Sequence, residues 1–122
     1  MNHFITWFEI PVRNMQRAAK FYSDIFGKEI QTMDTGETKM GYLPFQGEGV
    51  TGALCEGEKY IPSDKGVLPY LNGGEDLQIV LAKVENAGGK IILNKTLVRE
   101  DIGYYALIID TEGNRVALHS KK

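Results

Sequence analysis

Asn14-Met-Gln-Arg-Ala-Ala-Lys-Phe-Tyr-Ser-Asp-Ile-Phe-Gly27 and Asp76-Leu-Gln-Ile-Val-Leu-Ala-Lys-Val-Glu-Asn-Ala-Gly-Gly89 decide how this chain folds. In the first stretch Met15, Ala18, Ala19, Tyr22, Ile25 and Phe26 recur with helical spacing and make one apolar stripe. The spacing predicts a helix over residues 14–26. Asn14 is placed to cap its first turn, and Gly27 can take the left-handed conformation that ends it. In the second, Leu77, Val80, Leu81 and Val84 repeat the stripe, Asp76 caps it, and Gly88 with Gly89 closes it. A helix is predicted over residues 76–87. Burying each large side chain of such a stripe contributes roughly 1.5–3 kcal/mol gross, enough to hold helices that would be marginal alone.

The two stretches are copies. An offset of about 62 residues carries Asn14 onto Asp76, Met15 onto Leu77, Ala18 onto Val80, Tyr22 onto Val84 and Gly27 onto Gly89. A strand-like segment precedes each helix, over residues 5–12 and 67–72. Three short alternating or β-branched segments follow each helix. In the first half they span 29–35, 39–45 and 50–55; in the second, 90–99, 104–110 and 115–120. Glycine-bearing turns separate them, and Ala53-Leu-Cys55 matches Ala117-Leu-His119 at an offset of 64. The expected fold is α+β, a βαβββ unit used twice, with modules at 1–57 and 66–120 and a polar connector at 58–65.

The 122 residues suit one domain with a real core, and 43% hydrophobic with 25% charged residues is ordinary globular composition. A net charge of −2 without a basic stripe gives no support for nucleic-acid binding. Cys55 is the single cysteine, so no intrachain disulfide forms. Glu9 and Arg13 interrupt any leader-like pattern, and no apolar run approaches a bilayer span of about 18 residues. A cytoplasmic location, without membrane association, is the expectation.

The segment Ile10-Pro-Val-Arg-Asn-Met-Gln-Arg-Ala-Ala-Lys-Phe-Tyr22, with Phe26-Gly27, resembles the opening of the vicinal oxygen chelate superfamily. That group takes in glyoxalases, extradiol dioxygenases, fosfomycin-resistance enzymes and bleomycin-binding proteins. The ending Asp110-Thr-Glu-Gly-Asn-Arg-Val-Ala-Leu-His119 is similar to its final turn and strand, so the resemblance covers nearly the whole chain. It implies paired modules that form a cupped mixed sheet with a site on the concave face. It also implies metal ligands at positions held here by Trp7, Ala53, Pro69 and Ala117. None of these can donate to a divalent cation, so no metal and no cofactor are expected.

Alternation along strands then nominates the concave floor. If Trp7 faces the cavity, so does Glu9; if Ala117 does, so does His119. Cys55 joins Ala53, and Leu71 joins Pro69. The ligand-binding candidates are Trp7, Glu9, Cys55, Leu71, Ala117 and His119, an apolar and aromatic surface with few polar groups. Tyr42, Tyr104 and Tyr105 are candidates for the walls. A carboxylate on an apolar strand needs a partner, water or a ligand, with Arg115, Lys39 and His119 as possible partners for Glu9. The leading expectation is a cavity that binds a small organic molecule without metal. The alternative is a lyase- or isomerase-like enzyme, with Glu9 and perhaps His119 as catalytic residues moving a proton on a small carbonyl compound. Exposed strand edges and the habits of the resembled family suggest a homodimer.

Overall fold

The computed structural model describes residues 3–122. The chain runs β1 (Phe8–Pro11), α1 (Met15–Phe26), β2 (Gln31–Asp34), β3 (Lys39–Tyr42) and β4 (Gly52–Glu56). It continues β5 (Tyr70–Asn72), α2 (Leu77–Val84), β6 (Lys90–Arg99), β7 (Gly103–Ile109) and β8 (Arg115–Ser120). The strand–helix–three-strand unit therefore occurs twice. Each unit makes its own four-stranded mixed sheet, ordered β1-β4-β3-β2 and β5-β8-β7-β6. In both, the first strand lies parallel to the last while the remaining pairs are antiparallel.

The helices start where their caps predict. Asn14 accepts from the Arg17 N–H at 3.0 Å, and Asp76 accepts from the Gln78 N–H at 3.0 Å. Gly27 ends α1 in the left-handed region, as anticipated. Helix α2 stops at Val84, three residues short of expectation. Past Val84 the chain closes with a 3₁₀-type bond from Gly88 N–H to the Glu85 carbonyl at 3.1 Å and a wider one from Gly89 N–H to the Val84 carbonyl at 3.0 Å. Strand β1 begins at Phe8 rather than residue 5. Its partner β4 starts at Gly52 opposite Phe8, so Phe4 and Ile5 find no ladder and lie exposed.

One apolar core runs through both modules. Met15, Ala18, Phe21, Tyr22 and Ile25 of α1 and Leu77, Val80, Leu81 and Val84 of α2 are buried against Ile10, Leu54, Leu71, Ile108, Val116 and Leu118 of the sheets. Phe21 stands outside the stripe read from the sequence. It fills the joint toward the second module, where Gly89 leaves room: a Cβ there would sit 2.6 Å from the Phe21 ring.

The turn between β7 and β8 locks the modules together. Tyr22 Oη donates to Asp110 at 2.7 Å in a fully buried contact. Burial, reinforced by the Asp110 charge, pushes the Tyr22 phenol well above its ordinary value. Glu112 accepts from the N–H groups of Arg13 and Asn14 at 2.8 and 2.9 Å and pairs with Arg17 at 2.7 Å. A carboxylate from module two thus caps the N-terminus of the helix in module one. Burial of Glu112 works against ionisation, but the Arg17, Thr111 and backbone hydrogen bonds prevail and hold its carboxyl below the usual range. Asn114 completes the clamp by donating to the Pro11 carbonyl at 2.8 Å.

Candidate functional site

Pairing fixes which residues share a face. In the first sheet Glu9 lies opposite Ala53, and Ala53 lies opposite Tyr42; Pro11 lies opposite Cys55, and Cys55 opposite Met40. Ile10 and Leu54 point the other way, into the core under α1. The face away from the helix therefore carries Glu9, Tyr42, Ala53, Cys55 and Met40. Trp7 precedes β1 by one residue and joins this face, its ring 6.3 Å from that of Tyr42 at 56°. Ala53 and Cys55 are fully buried beneath these larger side chains and make the floor.

Glu9 is exposed on this face, and its partner is none of those considered from the sequence. Tyr60, from the connector, donates its hydroxyl to Glu9 Oε1 at 2.6 Å. That bond, with burial and the neighbouring thiol and carboxylate, raises the Tyr60 phenol far above its ordinary value. The sequence reading missed Tyr60. Its one signal was an aromatic residue inside an otherwise polar linker, Gly57-Glu-Lys-Tyr-Ile-Pro-Ser-Asp-Lys-Gly66.

Cys55 sits beside this pair. Its Sγ lies 3.4 Å from the Met40 sulfur. Burial first, and then the Glu9 charge, pushes the thiol up to about 11. A thiol held protonated at neutral pH is a poor nucleophile. Cys55 is a floor residue.

The second sheet repeats the arrangement with one displacement. Tyr70 lies opposite Ala117, and Asn72 opposite His119; Leu107 and Tyr105 continue the same face from β7. Tyr70 and Tyr105 stack at 6.4 Å. The expectation that Leu71 shares this face is corrected. Leu71 pairs with Leu118, is 8% exposed and belongs to the core cluster. The cause is a single extra residue. Tyr70 follows Glu9 by an offset of 61, while the helix caps keep 62, because Gly73-Gly74 lengthens the link to α2. A one-residue slip reverses every side chain of a strand. Tyr104 likewise turns inward, packing against the core with Lys95 over its ring.

His119 lies on the second sheet and makes a contact of its own. Its Nε2 is 2.7 Å from the Ile102 carbonyl, which can only accept, so Nε2 carries the proton and donates. His119, Tyr70, Asn72, Ser120 and Lys121 line an open cleft of about 370 Å³, with Leu71 at its rim. Glu9 and His119 thus belong to two different faces, each within its own module.

The positions that the resemblance assigns to metal ligands are held by Trp7, Ala53 and Ala117, and the register moves the fourth from Pro69 to Leu68. None offers an imidazole, carboxylate or thiolate. Among the described residues no three His, Cys, Asp or Glu side chains converge as a metal would require. The donor set does not fit a resident metal ion. Among the same residues no helix is long and apolar enough to cross a membrane.

Comparison with known proteins agrees with the topology. A glyoxylase-like domain-containing protein of Didymella fabae is 31% identical, with 93% of this chain and 91% of that protein covered. The antibiotic-binding protein TnmS3 of Streptomyces sp. CB03234 superposes with a TM-score of 0.69 at 18% identity, over 100% of this chain and 99% of that one. A mutant glyoxalase I of Zea mays gives 0.69 at 17% identity, covering 95% of this chain but 45% of the maize chain. The profile of the Glyoxalase/Bleomycin resistance protein/Dioxygenase superfamily matches residues 2–118, and the chain belongs to that superfamily.

Proposed function

We propose that the protein binds a small organic molecule, without a resident metal ion, against the acid-and-aromatic face of its first sheet. The observation that carries this reading is the grouping of Trp7, Tyr42, Tyr60 and Glu9 over a floor of Ala53 and Cys55. Aromatic walls around one oriented polar group are what a small-ligand site requires. A TnmS3-like binding role is consistent with this, on likeness of fold alone. Two copies complete the site. Helices α1 and α2 pack toward each other on one side of the sheets and leave the other face of each sheet without a helix, with Trp7 43% and Tyr70 57% exposed. Apolar surface of that kind favours a second copy that lays its module-two face over module one.

The test is a screen of small aromatic compounds read by the fluorescence of Trp7, the single tryptophan. Saturable binding that is unchanged by EDTA, together with a dimer in sedimentation, is the expected result. Binding or turnover that appears only when zinc, nickel, manganese or iron is added would overturn the metal-free reading.

A second reading rests on the short Tyr60–Glu9 bond, which fixes one carboxylate oxygen on the open face of the first sheet. Glu9 would then act as a general base on a bound carbonyl compound. In that case Glu9→Gln abolishes turnover and preserves affinity, whereas a pure binding protein has no turnover to lose.

A further inference from the structure

We infer that the ligand of this face is an organic cation: an amine or quaternary ammonium group carried on an apolar body. The inference deepens the binding role proposed above and rests on it. Four features of the face point to positive charge.

Among the described residues the Glu9 carboxylate is in no ion pair: the neutral Tyr60 hydroxyl donates to it, the Cys55 thiol lies beside it, and no lysine, arginine or histidine pairs with it. The cations named from the sequence are engaged elsewhere or lie apart. Lys39 leans toward Glu56 at 3.9 Å, and His119 bonds Ile102 in the other module. The Tyr60 bond also orients the carboxylate by holding Oε1. Finally, Trp7 and Tyr42 put two tilted rings beside it on the same face, with only the small Ala53 between Glu9 and Tyr42.

A ring face attracts a cation through its quadrupole, and a carboxylate attracts it through charge. Both terms favour a positive head group and oppose an anionic one. A neutral planar ligand would use the rings but gain from Glu9 a hydrogen bond at most, without the charge attraction. A metal ion is a poor occupant, because a single carboxylate oxygen with aromatic neighbours offers too few donors.

Choline and its uncharged carbon isostere, 3,3-dimethylbutan-1-ol, separate these cases. Each is titrated into the full chain while Trp7 emission is followed. The expected result is choline binding tighter by roughly tenfold, the factor that one partly desolvated cation–π and carboxylate contact commands. Glu9→Gln, an exposed substitution that leaves the core untouched, should remove most of that difference and change the alcohol by less than about twofold. Equal affinities for the two probes, or a Glu9→Gln variant that keeps its preference for choline, would overturn the cation assignment. Equal affinities would still leave the small-molecule binding role standing. A face whose Trp7 emission responds to neither probe overturns the cation assignment too, and the aromatic screen then decides the small-molecule binding role separately.

Discussion

The two hairpins that close the modules share a sequence element and use it differently. Residues 46–53 and 110–117 align at an offset of 64, with Glu48-Gly49 matching Glu112-Gly113 and Ala53 matching Ala117. In module one the loop is exposed throughout residues 44–50. In module two the same pair is driven into the intermodule joint, where Asp110, Glu112 and Asn114 are buried and fully bonded to α1 and β1. Duplication supplied two equivalent turns, and packing gave only one of them a partner. The turn over residues 110–114 in the family-like ending of the chain is therefore a structural clamp, and it lies apart from the Trp7–Glu9 face.

The sharpest way to break the equivalence lies just past each turn. Gly52 stands where module two has Val116. A Cβ at Gly52 would fall 2.2 Å from the Phe8 carbonyl oxygen and 2.7 Å from its ring, so the parallel β1–β4 pair closes only over glycine. Importing the module-two residue, Gly52→Val, should cost about 4 kcal/mol or abolish folding, and Gly52→Ala about 2–3 kcal/mol. Urea denaturation measures both. A Gly52→Ala chain as stable as the parent would show that β1 can slide, and the face assignments of module one would lose their basis.

Next in size is the clamp itself. Glu112→Ala strands the Arg13 and Asn14 amides, and should cost roughly 2–3 kcal/mol. Glu48→Ala should stay within about 0.5 kcal/mol. Similar losses at the two sites would mean that the joint is not one-sided. The pH dependence has a defined sign. The native carboxyl of Glu112 lies below its ordinary value of 4.5, so its contribution is complete above that value. It disappears as pH falls from 4.5 through the lower native value. The stability gap between parent and Glu112→Gln should accordingly shrink in acid.

Much of this was legible in the chain. Both helices announce themselves by stripe and cap, and β6 and β8 fall at residues 90–99 and 115–120 as the alternation indicates. The phase of β5 was not legible. Carrying the helix offset of 62 back through Gly73-Gly74 misjudges the link by one residue, enough to exchange Leu71 for Tyr70 and Asn72 on the open face. Tyr60 escaped for a different reason. It lies in a connector without periodicity, so only the tertiary path of the chain brings its hydroxyl to Glu9. Which turn would find a partner was equally hidden, since Glu48-Gly49 and Glu112-Gly113 read alike.

The smallest predicted effect contrasts Cys55 with His119, the matched residues at the ends of β4 and β8. His119 has a carbonyl to bond and is half-buried; Cys55 has a sulfur neighbour and no exposure. Burial and then the Glu9 charge push the thiol up to about 11, against an ordinary value of 9.0. Because the native value is raised, this protonated thiol contributes stability fully below 9, and the contribution is lost as pH climbs from 9 through 11. Thiolate absorbance at 240 nm should therefore rise late in an alkaline titration, and alkylation by iodoacetamide at pH 8 should be slow. Glu9→Gln should move the midpoint down only slightly, since burial is the larger cause. A midpoint at or below 9 would mean that solvent reaches Cys55. The floor beneath Trp7, Tyr42 and Tyr60 would then be open, and a reactive thiol would have to be added to the chemistry of that face.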